Sequence, residues 1–155
     1  FGRYKDRYRV IEDLEDAKRV LFEELFENEI IGKRWSSDKD KSPLVIIIDE
    51  LLDLIFMHKS KSSKYVSDRN RYEAIIKILD IGPELNIFTI ISTQSSDKDI
   101  LTKKILDNCQ TRLAFRTINA QDSRRILKKA GAEDLLGRVE AILYQEGKCR
   151  KIQCP

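Results

Sequence analysis

Leu44-Val45-Ile46-Ile47-Ile48-Asp49-Glu50 is the stretch that decides the fold. Five apolar, mostly β-branched residues follow one another without alternation, the pattern of a strand covered on both faces in a parallel sheet. Pro43 closes the polar loop that runs from Lys33 to Ser42, and Leu51 to Met57 reads as a helix entered directly from the strand. A second run of the same kind, Ile87 to Ile91, predicts a second buried strand. Between the two, His58 to Ser67 reads as a mobile polar loop, and Arg69 to Ile81 returns to helical spacing until Gly82-Pro83 stops it.

Outward from this pair, Ile11, Leu14, Ala17, Leu21 and Leu25 predict an amphipathic helix over about 12–30, ended by Gly32. Towards the C-terminus, Ile100 to Leu106 reads as a helix, Thr111 to Phe115 as a strand, and Gln121 to Lys129 as a helix capped by Asn119. Gly131 breaks that helix, Leu135 and Leu136 form a short turn, and Ala141–Tyr144 with Cys149–Gln153 predict a hairpin. Strands alternating with helices at short intervals give an α/β fold, with a sheet parallel at its centre and antiparallel at its edge. One domain accommodates the 155 residues: an N-terminal helix and loop over 1–42, and a compact unit over 43–155.

Composition narrows the function classes. With 41% hydrophobic and 35% charged residues, the chain can bury a core beneath a heavily charged surface, which argues against disorder. Cys109, Cys149 and Cys154 are odd in number and His58 is the single histidine, so neither a disulfide framework nor a metal-ligand spacing is present. Reduced thiols in a cytoplasmic protein are the expectation. No apolar run reaches the roughly 18 residues of a membrane span. The start, Phe1-Gly2-Arg3-Tyr4, lacks an initiator Met and a signal-peptide core, and the chain reads as a fragment of something longer.

The net charge of +3 conceals segregation. Ile11 to Ile30 holds eight acids against Lys18 and Arg19, whereas Lys98 to Lys129 holds nine bases against three acids. An anionic partner is to be sought on the basic half. No aromatic residues are interleaved there as a single-strand stacking platform requires.

Chemistry concentrates at two strand tips. Asp49 and Glu50 stand at the carboxyl end of a buried parallel strand, where ligands bind in open α/β sheets. In a nucleotide hydrolase the first acid holds Mg²⁺ through water and the second takes a proton from the attacking water, so the pair is a Walker B candidate. The competing reading is a pair of acids that caps the next helix. At the neighbouring tip, Ser92-Thr93-Gln94 offers polar groups able to sense a γ-phosphate. The Gly-x-x-x-x-Gly-Lys-Ser/Thr cradle is absent, since no pair among the six glycines has that spacing. These residues alone should neither hold ATP tightly nor hydrolyse it.

Asp49-Glu50-Leu51-Leu52-Asp53-Leu54, Ser92-Thr93-Gln94, Gln110-Thr111-Arg112-Leu113-Ala114-Phe115, Asp122-Ser123-Arg124-Arg125-Ile126-Leu127 and Gly131-Ala132-Glu133-Asp134-Leu135-Leu136-Gly137 occur in one order. In that order and spacing the chain resembles the FtsK/SpoIIIE DNA translocases, over most of its length. The resemblance implies a partial RecA-like P-loop ATPase core: a mainly parallel sheet flanked by helices, with the C-terminal antiparallel hairpin. It further implies a hexameric ring on double-stranded DNA, ATP and Mg²⁺ as cofactors, and a cytoplasmic motor with a possible membrane tether outside these residues. Carried over, Asp49 is the magnesium-associated acid, with Thr93 also at the nucleotide; Glu50 is the catalytic base and Gln94 the γ-phosphate sensor. Arg112, Arg116 and Arg124 match basic positions near subunit contacts or phosphate, and Lys98, Lys103 and Lys104 are the DNA-binding candidates.

The chain also departs from the family pattern. Ser95-Ser96 replace the usual Arg-Pro, and Pro83 stands where an arginine usually reaches a neighbouring nucleotide. A catalytically impaired assembly scaffold, or a motor of a conjugation or secretion system, is the alternative expectation.

Overall fold

The computed structural model describes residues 9–20, 42–55, 64–137 and 139–153. The remainder of the expected 12–30 helix, most of the 33–42 loop, and residues 56–63 of the expected helix end and loop lie outside these residues. The chain divides into two compact units, Phe1–Ser92 and Thr93–Pro155, each described by itself. No helix among the described residues is long and apolar enough to cross a membrane.

The first unit runs α1 (Leu14–Arg19), β1 (Leu44–Ile48), α2 (Leu51–Ile55), α3 (Lys64–Ile81) and β2 (Ile87–Ile91). β1 and β2 pair in parallel with Leu44 opposite Ile87 and Ile48 opposite Ile91, so the two strands end level. Leu51, Leu54 and Ile55 of α2, Ala74, Ile75, Ile78 and Leu79 of α3, and Ile87 of β2 are buried. Helix α3 starts at Lys64, so residues 64–67, expected as loop, are helical. At its other end Gly82 donates its N–H to the Ile78 carbonyl at 2.9 Å, and Pro83 opens a single 3₁₀ turn, Pro83–Leu85. Asn86 then adopts φ 56°, a left-handed geometry that asparagine tolerates, and delivers the chain into β2.

The strands depart from expectation on one face. Val45, Ile47, Phe88 and Ile90 are exposed, Ile47 to 70%. The register sets Val45 beside Phe88 and Ile47 beside Ile90, so the four form one open apolar face. Burial alternates along β1, with the odd-numbered residues exposed. Cover on both faces is therefore not what these residues show. Hydropathy reported that the strand tolerates burial on both sides, whereas the described residues cover only one.

The second unit runs α4 (Lys103–Asn108), β3 (Arg112–Ala114), α5 (Ala120–Leu127), β4 (Glu140–Gln145) and β5 (Lys148–Gln153). β3, β4 and β5 form their own antiparallel sheet, separate from the parallel pair, rather than the edge of one continuous sheet. The β4–β5 turn places Glu146 and Gly147 at φ 52° and 78°, the double positive φ of a two-residue hairpin loop. Helix α4 begins at Lys103 instead of Ile100, because the Thr102 side chain accepts the Ile105 N–H and caps it there. Ala114, Leu127, Ala132, Leu135 and Tyr144 make the core, with Ile126, Ile142 and Cys149 packed against it.

The segments Asp122–Leu127 and Gly131–Gly137 are tied together by one serine. Asn119 Oδ1 accepts the Asp122 N–H at 2.9 Å and caps α5. Ser123, fully buried, donates its hydroxyl to the Lys129 carbonyl at 2.8 Å and accepts the Ala132 N–H at 3.0 Å. Both functions of a buried hydroxyl are thus satisfied within the turn that follows the helix. Gly131, at φ 133°, makes that turn possible.

Candidate functional site

Because β1 and β2 end level, Asp49 and Ser92 come side by side, as in-phase parallel strands require. The Ser92 N–H donates to the Ile48 carbonyl at 2.9 Å, and the Ser92 carbonyl accepts the Leu51 N–H at 3.0 Å. The Ser92 hydroxyl lies 2.9 Å from Asp49 Oδ1 and also contacts the Asp49 carbonyl, so one proton is shared between two oxygens of the same residue. Asp49 is exposed at this tip. In the sequence Ser92 is only one residue of a polar tip; the level ends of two parallel strands are what single it out.

Glu50 directs Oε1 to the Leu52 N–H at 3.1 Å, and so caps the first turn of α2. Glu50 thus caps α2, as the competing reading of the acidic pair expects, while Asp49 takes the serine hydroxyl.

In the second unit, Thr93 Oγ1 accepts the Ser95 N–H at 3.2 Å, Ser95 Oγ accepts the Asp97 N–H at 3.2 Å, and Asp97 Oδ1 accepts the Asp99 N–H at 2.9 Å. Three successive side-chain-to-main-chain bonds thus shape the loop that follows β2 in the chain. Gln94 is exposed on it. Arg125, not singled out in the sequence, donates to the Ser96 carbonyl and ties this loop to α5. It stands 3.8 Å from Asp122, one turn away.

The basic candidates separate by burial. Arg116, Arg124, Lys98, Lys103 and Lys104 are exposed. Arg112 is 8% exposed. Its Nε donates to Cys109 O at 2.8 Å, Nη1 to Ile126 O at 2.8 Å, and Nη2 to Leu106 O. Its guanidinium lies 4.9 Å from the centre of the Tyr144 ring. These carbonyls belong to the last turns of α4 and α5, where main-chain acceptors lack helical partners and positive charge is favoured. Arg112 therefore closes two helix ends at once. Nearby, burial raises the Cys109 thiol above its ordinary value, opposed by the Arg112 charge, and keeps it protonated.

The carboxylate of Glu133 accepts the Gly131 N–H at 2.8 Å, and main-chain N–H groups hold its pKa below the ordinary value, with the Arg124 charge a smaller contributor. Glu140 is lowered by its bond to Lys151, at 2.7 Å, and by the Leu136 N–H at 2.7 Å. Both are structural positions.

A metal bound directly by several carboxylates has no place among the described residues, which hold no group of three or more His, Cys, Asp or Glu suited to it. One exposed carboxylate anchored through one oxygen fits a Mg²⁺ held through water, since that ion retains most of its hydration shell.

The chain is 36% identical over 130 residues to the DNA translocase FtsK of Chlorobaculum tepidum, which covers 81% of this chain. It is 32% identical over 143 residues to that of Streptomyces avermitilis, covering 90%. The chain belongs to the FtsK/SpoIIIE family. It spans 15% and 14% of the length of those two FtsK proteins. No protein-family model matches it.

Solved structures agree on the fold. The pCW3 conjugation coupling protein TcpA, in a monomer form with ATPγS, superposes with a TM-score of 0.67 at 19% identity over 90% of this FtsK-family chain and 40% of TcpA. The cytoplasmic domain of the type VII secretion ATPase EccC of Thermomonospora curvata gives 0.60 at 16% identity, over 91% of this chain and 16% of EccC. The fold is thus part of a RecA-like P-loop ATPase core, α/β with a parallel pair of strands, flanking helices and a C-terminal antiparallel hairpin.

Proposed function

We propose that these residues are part of an ATP-driven double-stranded DNA translocase motor, in which they supply the Walker B acids, the sensor and subunit-contact elements. The single observation that carries the reading is the Asp49–Ser92 hydrogen bond, which fixes an exposed carboxylate at the level ends of two parallel strands. The DNA translocases to which the chain is similar support DNA as the partner, and the ATPγS bound by TcpA supports a nucleotide as the fuel. Residues 1–42 and 43–155 are taken as one partial motor domain, cytoplasmic, working in a hexameric ring with a membrane tether elsewhere in the protein.

In this reading Asp49 holds Mg²⁺ through water, and Thr93 stands near the nucleotide. The metal neutralises charge on the transferred phosphoryl group. Glu50 accepts the proton of the attacking water, from a position fixed by its bond to the Leu52 N–H at the start of α2. Gln94 senses the γ-phosphate from a loop whose shape is set by Thr93, Ser95 and Asp97. Arg116 and Arg124 are the exposed cations for subunit contacts, and Lys98, Lys103 and Lys104 for DNA.

The test is Glu50→Gln in the full-length protein, read by DNA-stimulated ATPase and by nucleotide binding. Turnover should fall by about 10²–10⁴ with nucleotide binding retained. Undiminished hydrolysis removes Glu50 as the base. A second reading, an assembly scaffold with impaired chemistry, is favoured by Ser95-Ser96 and by Pro83, which lies in a 3₁₀ turn and offers no cation for a phosphate. Under that reading wild-type protein shows no DNA-stimulated hydrolysis at all.

A further inference from the structure

We propose that Ser92 selects the metal: its hydroxyl holds the Asp49 carboxylate in the one-oxygen presentation that suits a water-shelled Mg²⁺, and withholds the two-oxygen grip that Ca²⁺ takes. The inference rests on Asp49 being the magnesium-associated acid, and makes Ser92 a positioning residue that acts through it.

Asp49 is exposed at a strand tip. The last torsion of an aspartate is broad and roughly two-fold, so an exposed carboxylate does not by itself decide how its oxygens are turned. Ser92 removes that freedom. Its hydroxyl lies 2.9 Å from Asp49 Oδ1 and also contacts the Asp49 carbonyl, so it links the side chain of the acid to the acid's own main chain.

The serine is itself tied on both sides of the acidic pair. Its N–H donates to the Ile48 carbonyl at 2.9 Å, and its carbonyl accepts the Leu51 N–H at 3.0 Å. These bonds continue the in-phase pairing of β1 with β2 past Ile48 and Ile91. The hydroxyl therefore cannot drift from Asp49 without breaking main-chain bonds between the two strand ends.

The two cations ask different things of such a carboxylate. Mg²⁺ dehydrates reluctantly and keeps several waters, so a carboxylate serves it by receiving a water's hydrogen bond in a fixed direction; Ca²⁺ accepts carboxylates with both oxygens, at about 2.3–2.6 Å. With Oδ1 engaged by Ser92, Asp49 addresses a water shell through its other oxygen, and a bidentate contact has to break the serine bond first. Among the described residues no group of three or more His, Cys, Asp or Glu forms a cage that would impose selectivity in its place.

The experiment compares wild type, Ser92→Ala, Ser92→Thr and Asp49→Asn in the full-length protein. The affinity for a fluorescent ATP analogue is titrated in excess Mg²⁺, in excess Ca²⁺ and in EDTA. Ser92→Ala should lose about tenfold of the affinity in Mg²⁺, the low end for a hydrogen bond to a charged group because this one is exposed, with affinity in Ca²⁺ unchanged or higher. Affinity in EDTA should stay as in wild type. Ser92→Thr keeps the hydroxyl on a residue that strands favour, and should restore the wild-type ratio of Mg²⁺ to Ca²⁺ affinity.

A wild-type ratio in Ser92→Ala overturns the proposal; if Asp49→Asn meanwhile loses the Mg²⁺ effect, the magnesium assignment of Asp49 survives it. An equal loss in Mg²⁺, Ca²⁺ and EDTA makes Ser92 a purely structural residue, and also overturns the proposal. So does a shifted ratio that Ser92→Thr leaves shifted, since the hydroxyl is then not the cause. If Asp49→Asn binds as wild type does in all three media, the magnesium assignment itself fails and the proposal with it.

Discussion

Arg112→Lys separates a structural arginine from a functional one. The side chain carries three hydrogen bonds to the carbonyls of Leu106, Cys109 and Ile126, and packs on Tyr144. At about 1 kcal/mol net for each bond and about 1 kcal/mol for the cation–π contact, its full removal costs about 4 kcal/mol. Lysine retains the charge, but a single ammonium cannot reproduce a planar fork that meets acceptors from two helices. Half of the total, about 2 kcal/mol, is the expected loss for Arg112→Lys, and about 4 kcal/mol for Arg112→Met. Urea unfolding followed by far-ultraviolet circular dichroism reads this as a lower midpoint at unchanged slope. Thermal midpoints should fall by about 4–8 °C for the lysine variant, at 2–4 °C per kcal/mol in a chain of this size. If Arg112→Lys is as stable as wild type to within about 0.5 kcal/mol, while ATPase in the full-length protein is lost, the closure of two helix ends is refuted and a subunit-contact role takes its place.

Asn119→Ala removes the acceptor of the Asp122 N–H at the start of α5, and should lower stability by about 1 kcal/mol in the same urea assay. Gly82→Ala should cost more, on the order of 1–3 kcal/mol, because a Cβ there would stand 2.4 Å from the Ile78 carbonyl oxygen and 3.0 Å from that of Ile87, both main chain. Glu133 gives a pH signature. Its folded pKa lies below the unfolded value, so its contribution is complete above the unfolded value and is lost as pH falls through the folded one. Urea midpoints should therefore decline on the acid side in wild type, and Glu133→Gln should flatten that decline. An unaltered acid limb in the variant removes Glu133 as a source.

The elements most legible in the sequence were those whose signal is local. β1 and β2 emerged to the residue, since an apolar β-branched run bounded by Pro43 and Asp49, or ending at Ser92, admits few other readings. Asn119 was readable as a cap because capping depends on neighbours a few residues away. The early start of α3 and the late start of α4 were missed: a polar helical turn resembles a loop, and Thr102 competes with Ile100 for the first position. Arg112 marks a harder boundary. Nothing in Gln110-Thr111-Arg112 distinguishes a guanidinium that closes two helices from one offered to a neighbour, since its acceptors at Leu106 and Ile126 lie on either side in sequence and meet only in the fold.

The same distinction between local and assembled signals separates the two charged features of this chain. Asp49 could be read as a site residue because it follows a strand directly, and its partner Ser92 comes at the equivalent place on the next strand. The cations of the second unit are marked in the sequence only as a basic stretch, Lys98 to Lys129, and their grouping comes from the fold. Lys98, Lys103 and Lys128 are each, taken singly, an ordinary surface charge. Arg112 ties the last turns of α4 and α5 together through the carbonyls of Leu106 and Ile126, and Lys98, Lys103 and Lys128 line the same cavity beside it. It follows that Arg112→Lys should weaken duplex binding only to the extent that it loosens the α4 and α5 ends, and a stabilising osmolyte that restores the fold should restore the binding with it. Binding that stays weak when the midpoint has recovered would mean that the guanidinium itself touches phosphate.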